Sequence, residues 1–135
     1  MRLLDSAVWI DEGNRLLAQQ KIPLEDAVLR GHFPDWPVWP GALLIEAMAQ
    51  TTAVWLIRSR GALGADEVPL LGAVDCNFLR PIRPGASVRF ETRCVRQRAD
   101  LGLFVVTATL ESGEVVARAR ISAGIRPLAS MQQAG

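Results

Sequence analysis

Two side chains in this sequence have the chemistry and the isolation to move protons. His32 is the only histidine of 135 residues, and Glu46 is the only ionisable residue between Asp35 and Arg58. An imidazole with an ordinary pKa near ~6.5 accepts a proton at neutral pH without a special environment. A carboxyl group in apolar surroundings is expected to stay protonated, because an unpaired carboxylate is costly to take out of water. Gln50 follows Glu46 by one helical turn on the same face, where its amide can orient the carboxyl. A base and an acid so placed remove one proton and deliver another. Each residue also has a structural reading: His32 as a satisfied turn residue, Glu46 as the partner of an arginine elsewhere or part of a subunit contact.

The elements that must position this pair are legible from composition. Prolines at 34, 37 and 40 lack an N–H and push the preceding residue away from helical angles, so residues 32 to 40 are expected to be extended or turning. From Gly41 to about residue 60 no proline occurs and Ala, Leu, Ile, Met and Gln dominate, with apolar residues on nearly every side of a helical wheel. That predicts a buried helix. Glu46 then lies about a turn and a half into it, roughly 7 Å along the axis.

The stretch Gly31-His-Phe-Pro-x-x-Pro-x-x-Pro-Gly41, followed by Leu44-Ile-Glu-Ala-Met-Ala-Gln50, resembles the active-site signature of the (3R)-3-hydroxyacyl-acyl-carrier-protein dehydratases of the FabZ type. Further on, Asn77-Phe-Leu-Arg-Pro-Ile-Arg-Pro-Gly85 is similar to that family's Phe-x-Arg-Pro-x-x-Pro-Gly segment, so the likeness spans roughly residues 28 to 125. A sister class that also isomerises its product has aspartate at the acidic position, and Glu46 favours the plain dehydratase. The family usually carries a leading helix and a Pro-His-Arg-x-Pro stretch ahead of its first strand. Neither is found here, and a less covered tunnel mouth is expected.

The resemblance implies a hotdog fold, an antiparallel sheet wrapped around one long helix, and removal of water from a (3R)-3-hydroxyacyl thioester to give the trans-2-enoyl thioester. His32 would take the proton next to the carbonyl. Glu46 would protonate the departing hydroxyl while Gln50 orients it, and the Gly41 N–H at the positive helix end would hold the thioester oxygen. The implied site is composite, with histidine and glutamate from different subunits of a homodimer or of a trimer of such dimers. Phe33, Trp36, Val38, Trp39, Leu43, Met48 and Phe78 are candidates to line the acyl tunnel. The implied partner is an acidic acyl carrier protein, for which Arg80, Arg83, Arg58 and Arg60 are candidate docking cations. Arg58 and Arg60 also suit a helix C-terminus on purely structural grounds. No cofactor and no metal are implied.

Composition narrows the class further. One domain over residues 1–135 is expected at this length. A net charge of +1 gives no bulk affinity for nucleic acid, although fourteen of the fifteen basic residues are arginine. Cys76 and Cys94 lack metal-ligand spacing and read as reduced core residues of a cytoplasmic protein. The most apolar run, residues 42–57, falls short of the ~20 needed to span a bilayer.

In chain order, residues 3–10 and 16–22 read as a hairpin around Gly13-Asn14, and 24–29 as a short helical turn. After a glycine stop at residue 61 come strands at 70–78, 87–98 with one charged face, 103–111 as an apolar central strand, and one from 115. A hotdog thioesterase and a non-catalytic carrier-binding subunit are the alternatives. A specialised polyketide or aryl-polyene assembly line is an alternative pathway for the same chemistry.

Overall fold

The computed structural model describes residues 3–12, 14–24 and 38–129. The expected short turn at 24–29 lies outside these residues, as do His32, Phe33 and Trp36. The described chain forms β1 (Ser6–Ile10), β2 (Arg15–Lys21), α1 (Gly41–Arg60), β3 (Glu67–Phe78), β4 (Ser87–Arg98), β5 (Leu101–Leu110) and β6 (Val115–Pro127). The six strands make one antiparallel sheet in the order β1-β2-β4-β5-β6-β3.

Each strand is half buried because its side chains alternate. In β4, Val88, Phe90 and Thr92 are buried while Arg89, Glu91 and Arg93 are exposed, the alternation its sequence predicts. The apolar β5 lies between β4 and β6, as expected of a central strand. Its inward residues Phe104, Val106 and Ala108 are fully buried.

The helix lies across this inner face. Leu44, Ala47, Met48, Thr51, Thr52, Trp55 and Leu56 are its buried residues. Trp55 meets Phe104 edge-on at 5.3 Å and Trp9 at 5.6 Å. Its indole N–H donates to the carbonyl of Asn14 at 3.2 Å, fixing the helix to the first hairpin. A single polar bridge crosses the core, where the hydroxyls of Thr51 and Thr92 are 2.5 Å apart and Thr51 also donates to the Met48 carbonyl. Gly61 ends the helix at φ 103°, with its N–H on the Ile57 carbonyl. One helix on one antiparallel sheet is the hotdog architecture.

Two strand starts differ by several residues from expectation. Strand β3 begins at Glu67 rather than 70, because residues 67–69 pair with 125–127 and tertiary pairing overrides a locally polar sequence. Pro69 is tolerated there because β3 is an edge strand and one row of its backbone groups has no ladder partner. At the start of the chain Leu3 and Leu4 are buried but outside the sheet, with the Leu3 N–H donating to the Gln50 side chain at 3.0 Å. Cys76 and Cys94 are unpaired and half buried, and burial pushes both thiols above their ordinary range.

The expectation of a helix buried all round needs correction. In the single chain Ala42 and Glu46 are exposed, and Ile45, Ala49, Gln50 and Ala53 are only half buried. The sheet covers one side only.

Candidate active site

The helix begins abruptly. Pro40 is its N-cap with extended angles, φ −62° and ψ 137°, and it offers no side-chain hydrogen bond to the first turn. No acidic residue stands in that turn. Its leading N–H groups, which have no intrahelical acceptor, form the positive end of the helix. The approach is rigid because the Trp39 N–H donates to the Ile82 carbonyl at 2.8 Å. A Cβ on Gly41 would come within 2.9 Å of the Phe78 ring, so glycine is what lets β3 close over the helix start.

Around that start opens a cleft of about 370 Å³. Val38, Trp39, Gly41, Phe78 and Arg80, all singled out by sequence, share its wall. Leu44, Leu79, Pro81 and Ile82 complete the lining and were not foreseen. Leu44 sits three residues after Gly41, on the same side of the helix, so helical spacing alone could have marked it. Met48 and Leu43, expected in the tunnel, are absent from the lining; Met48 is fully buried and Leu43 packs at the edge of the core.

Glu46 and Gln50 line a second cavity of about 230 Å³, walled by Leu70 and Leu71 of β3 and Ala123 of β6. The amide oxygen of Gln50 accepts from Leu3, which orients its NH₂ group. Glu46 itself is exposed. Its own sheet therefore does not bury it, and a second surface over the helix would have to do so. Gly41 and Glu46 are thus on one helix but open into different spaces of the same chain.

The candidate docking arginines Arg58, Arg60 and Arg80 are engaged within the chain. Arg58 donates to the Ala7 carbonyl at 2.8 Å. Arg60 pairs with Glu67 at 2.6 Å and reaches Asp100 at 4.0 Å. The hydrogen bond from Arg60, aided by the Gly64 N–H, holds the Glu67 carboxyl below the usual carboxylate range. Arg80 pairs with Glu114 at 2.8 Å, and Arg83 is exposed beside the proline turn.

Comparison with known proteins places the chain in a family and a fold. Residues 1–120 match the family described as FabA-like domain. A 3-hydroxyacyl-[acyl-carrier-protein] dehydratase FabZ of Oceanobacillus iheyensis is 32% identical over 127 residues, covering 92% of this chain and 87% of the relative. Among solved structures, a hot-dog-like protein of Thermanaerovibrio acidaminovorans superposes with a TM-score of 0.72 at 17% identity, covering 89% of this chain and 86% of that one. A thioesterase of Haemophilus influenzae superposes at 0.68 and 14% identity, covering 90% and 78%, which is a likeness of fold alone. With most of its length matched and its helix, sheet and glycine-led cleft in place, the chain belongs to the FabA-like domain family, in its FabZ-related part.

Proposed function

We propose that this chain is a 3-hydroxyacyl-[acyl-carrier-protein] dehydratase, which eliminates water across C2 and C3 of a (3R)-3-hydroxyacyl thioester. The observation that carries the reading is the uncapped, positive helix start at Gly41, opening on an apolar cleft while the same helix bears a lone carboxyl. The Gly41 N–H stabilises the negative charge that grows on the thioester oxygen as the C2 proton leaves. His32 takes that proton. Electrons from the C2–H bond form the double bond, the C3–O bond breaks, and Glu46 gives the hydroxyl the proton that lets it depart as water.

One chain opens Gly41 and Glu46 into different spaces, so the working unit is a homodimer in which one protomer's Glu46 completes the other's cleft. Two features support this. The outward helix side is largely apolar and half exposed, and β3 presents a twelve-residue edge without a partner strand among the described residues. A second helix laid over the first would also desolvate Glu46. We assign the protein to the cytoplasm, a compartment that suits its unpaired thiols.

The test is turnover of purified chain on 3-hydroxyacyl pantetheine thioesters of graded length, with enoyl product and released thiol both measured and the solution mass determined. Enoyl product without thiol, from a dimer or a multiple of it, is expected. Glu46→Gln and His32→Ala should each cut turnover roughly a hundredfold or more. Thiol release would make it a thioesterase, and an inert dimer would leave a carrier-binding subunit.

A further inference from the structure

The side chain of Gln50 is held from outside the helix. The main-chain N–H of Leu3 donates to its amide oxygen at 3.0 Å, a bond that spans 47 positions of sequence. Because a peptide N–H can only donate, it selects one of the two orientations of a carboxamide: the oxygen turns to Leu3, and the NH₂ is presented on the other side. Gln50 lies in the wall between two spaces. One is the cavity of about 230 Å³ that it shares with Glu46, and the other is a groove of about 460 Å³ bordered by Leu4, Ser6 and Ala7.

The donor is itself fixed. Leu3 and Leu4 belong to no strand, yet each is only 8% exposed and packs into the core. The Asp5 N–H donates to the Gln19 carbonyl at 2.8 Å, and the Asp5 carboxylate accepts the Lys21 N–H at 2.6 Å, which ties the segment to β2. About two turns beyond Gln50, Arg58 donates to the Ala7 carbonyl at 2.8 Å. Residues 3–7 are thus fastened to the helix at two points and to the sheet between them. A donor so anchored does not follow Gln50; Gln50 follows it.

We infer that the Leu3 amide is a positioning group of the active site, a main-chain clamp that sets which end of the Gln50 carboxamide faces Glu46. The inference rests on the dehydratase reading and adds to it the group that orients the acid's neighbour. Glu46 precedes Gln50 by one turn and opens into the same cavity. A protonated carboxyl has one oxygen that accepts and one that donates. An NH₂ group facing it bonds the accepting oxygen and leaves the O–H for the substrate hydroxyl. The carboxamide turned over would present its own oxygen to that O–H and hold back the proton that dehydration needs. With Leu3 in place, turning over sets its N–H against the NH₂ of Gln50, donor against donor, and leaves a part-buried N–H without an acceptor.

The test replaces Leu3 by its α-hydroxy acid analogue in the otherwise intact chain, which turns the N–H into an ester oxygen and keeps the side chain. Turnover of a 3-hydroxyacyl pantetheine thioester is compared with that of Gln50→Leu, of the two changes together, and of Asp5→Ala, which loosens the same segment without removing the donor. The ester chain should lose roughly ten- to a hundredfold in kcat with KM unchanged. Gln50→Leu should lose at least as much, and the combination no more than Gln50→Leu alone. Asp5→Ala should lower the denaturation midpoint and keep kcat. An unchanged kcat in the ester chain, losses that multiply, or an equal kcat loss in Asp5→Ala overturns the inference, the last by showing that the segment acts through shape. If wild type yields no enoyl product, the dehydratase reading falls. The clamp is then read by NMR from the isotope-labelled Gln50 amide, whose chemical shifts should move in the ester chain and whose constancy overturns the clamp as well.

Discussion

The two sides of helix α1 differ less in sequence than in what covers them. On the sheet side, Leu44, Met48, Trp55 and Leu56 are sealed against β4, β5 and β6, with the Thr51 hydroxyl bonded to Thr92 and to the Met48 carbonyl. On the other side, Ile45, Ala49 and Ala53 are just as apolar but half exposed, and among them stands Glu46. One side holds the fold together. The other carries the carboxyl of the proposed site, which can be kept there because the protomer's own stability does not depend on burying it.

That division can be broken from either side. Phe104→Ala removes a fully buried ring packed edge-on against Trp55, and a truncation of this kind costs about 3–5 kcal/mol. Chemical denaturation should show the unfolding free energy falling by that amount and the midpoint falling with it, with activity lost in step with folded protein. Glu46→Gln should do the reverse, leaving the midpoint almost unchanged while the rate collapses. A large loss of stability in Glu46→Gln would mean that the outer side of the helix is structural after all.

A smaller effect tests the polar bridge. Thr51→Val deletes the hydroxyl that meets Thr92, and Thr92 is buried with no exposure. A buried hydroxyl left without a partner costs about 1–3 kcal/mol. Adding Thr92→Val should recover part of that loss, since two apolar groups then meet where two polar ones did. Additive losses would mean that the hydroxyls are satisfied separately.

How much of this could be read beforehand follows the same division. The strands were legible because one face is charged and the other apolar, as in Val88 to Cys94, and the helix because proline ends at 40 and glycine returns at 61. Gly41 and Phe78 could be singled out together because motif spacing survives without coordinates, and the structure places them side by side. What could not be read was which apolar helix face the sheet would take. Ile45 and Met48 look alike in sequence, and only packing separates a half-exposed residue from a sealed one. The intrachain partners of two arginines were hidden for a related reason. Arg60 and Arg80 sit beside the helix end and the proline turn, but their acids, Glu67 and Glu114, arrive from elsewhere in the chain.

The smallest effect belongs to one of those pairs. Arg60 at the helix C-terminus ties the start of β3 to the helix by its bond to Glu67, and the Gly64 N–H also donates to that carboxylate at 2.8 Å. Both contacts favour the ionised form, so the folded carboxyl titrates below its ordinary value. A group depressed in this way contributes stability that is fully present above the unfolded pKa and is lost as pH falls through the folded one. Glu67→Gln should therefore lower the thermal midpoint slightly near neutrality. The gap between variant and wild type should close on acidification below the ordinary carboxylate value of 4.5. Turnover on a pantetheine thioester should be untouched, because the pair lies at the end of the helix opposite Gly41. A gap that persists unchanged to strongly acidic pH would show that the glutamate acts through packing, and that the helix C-terminus is held by shape rather than charge.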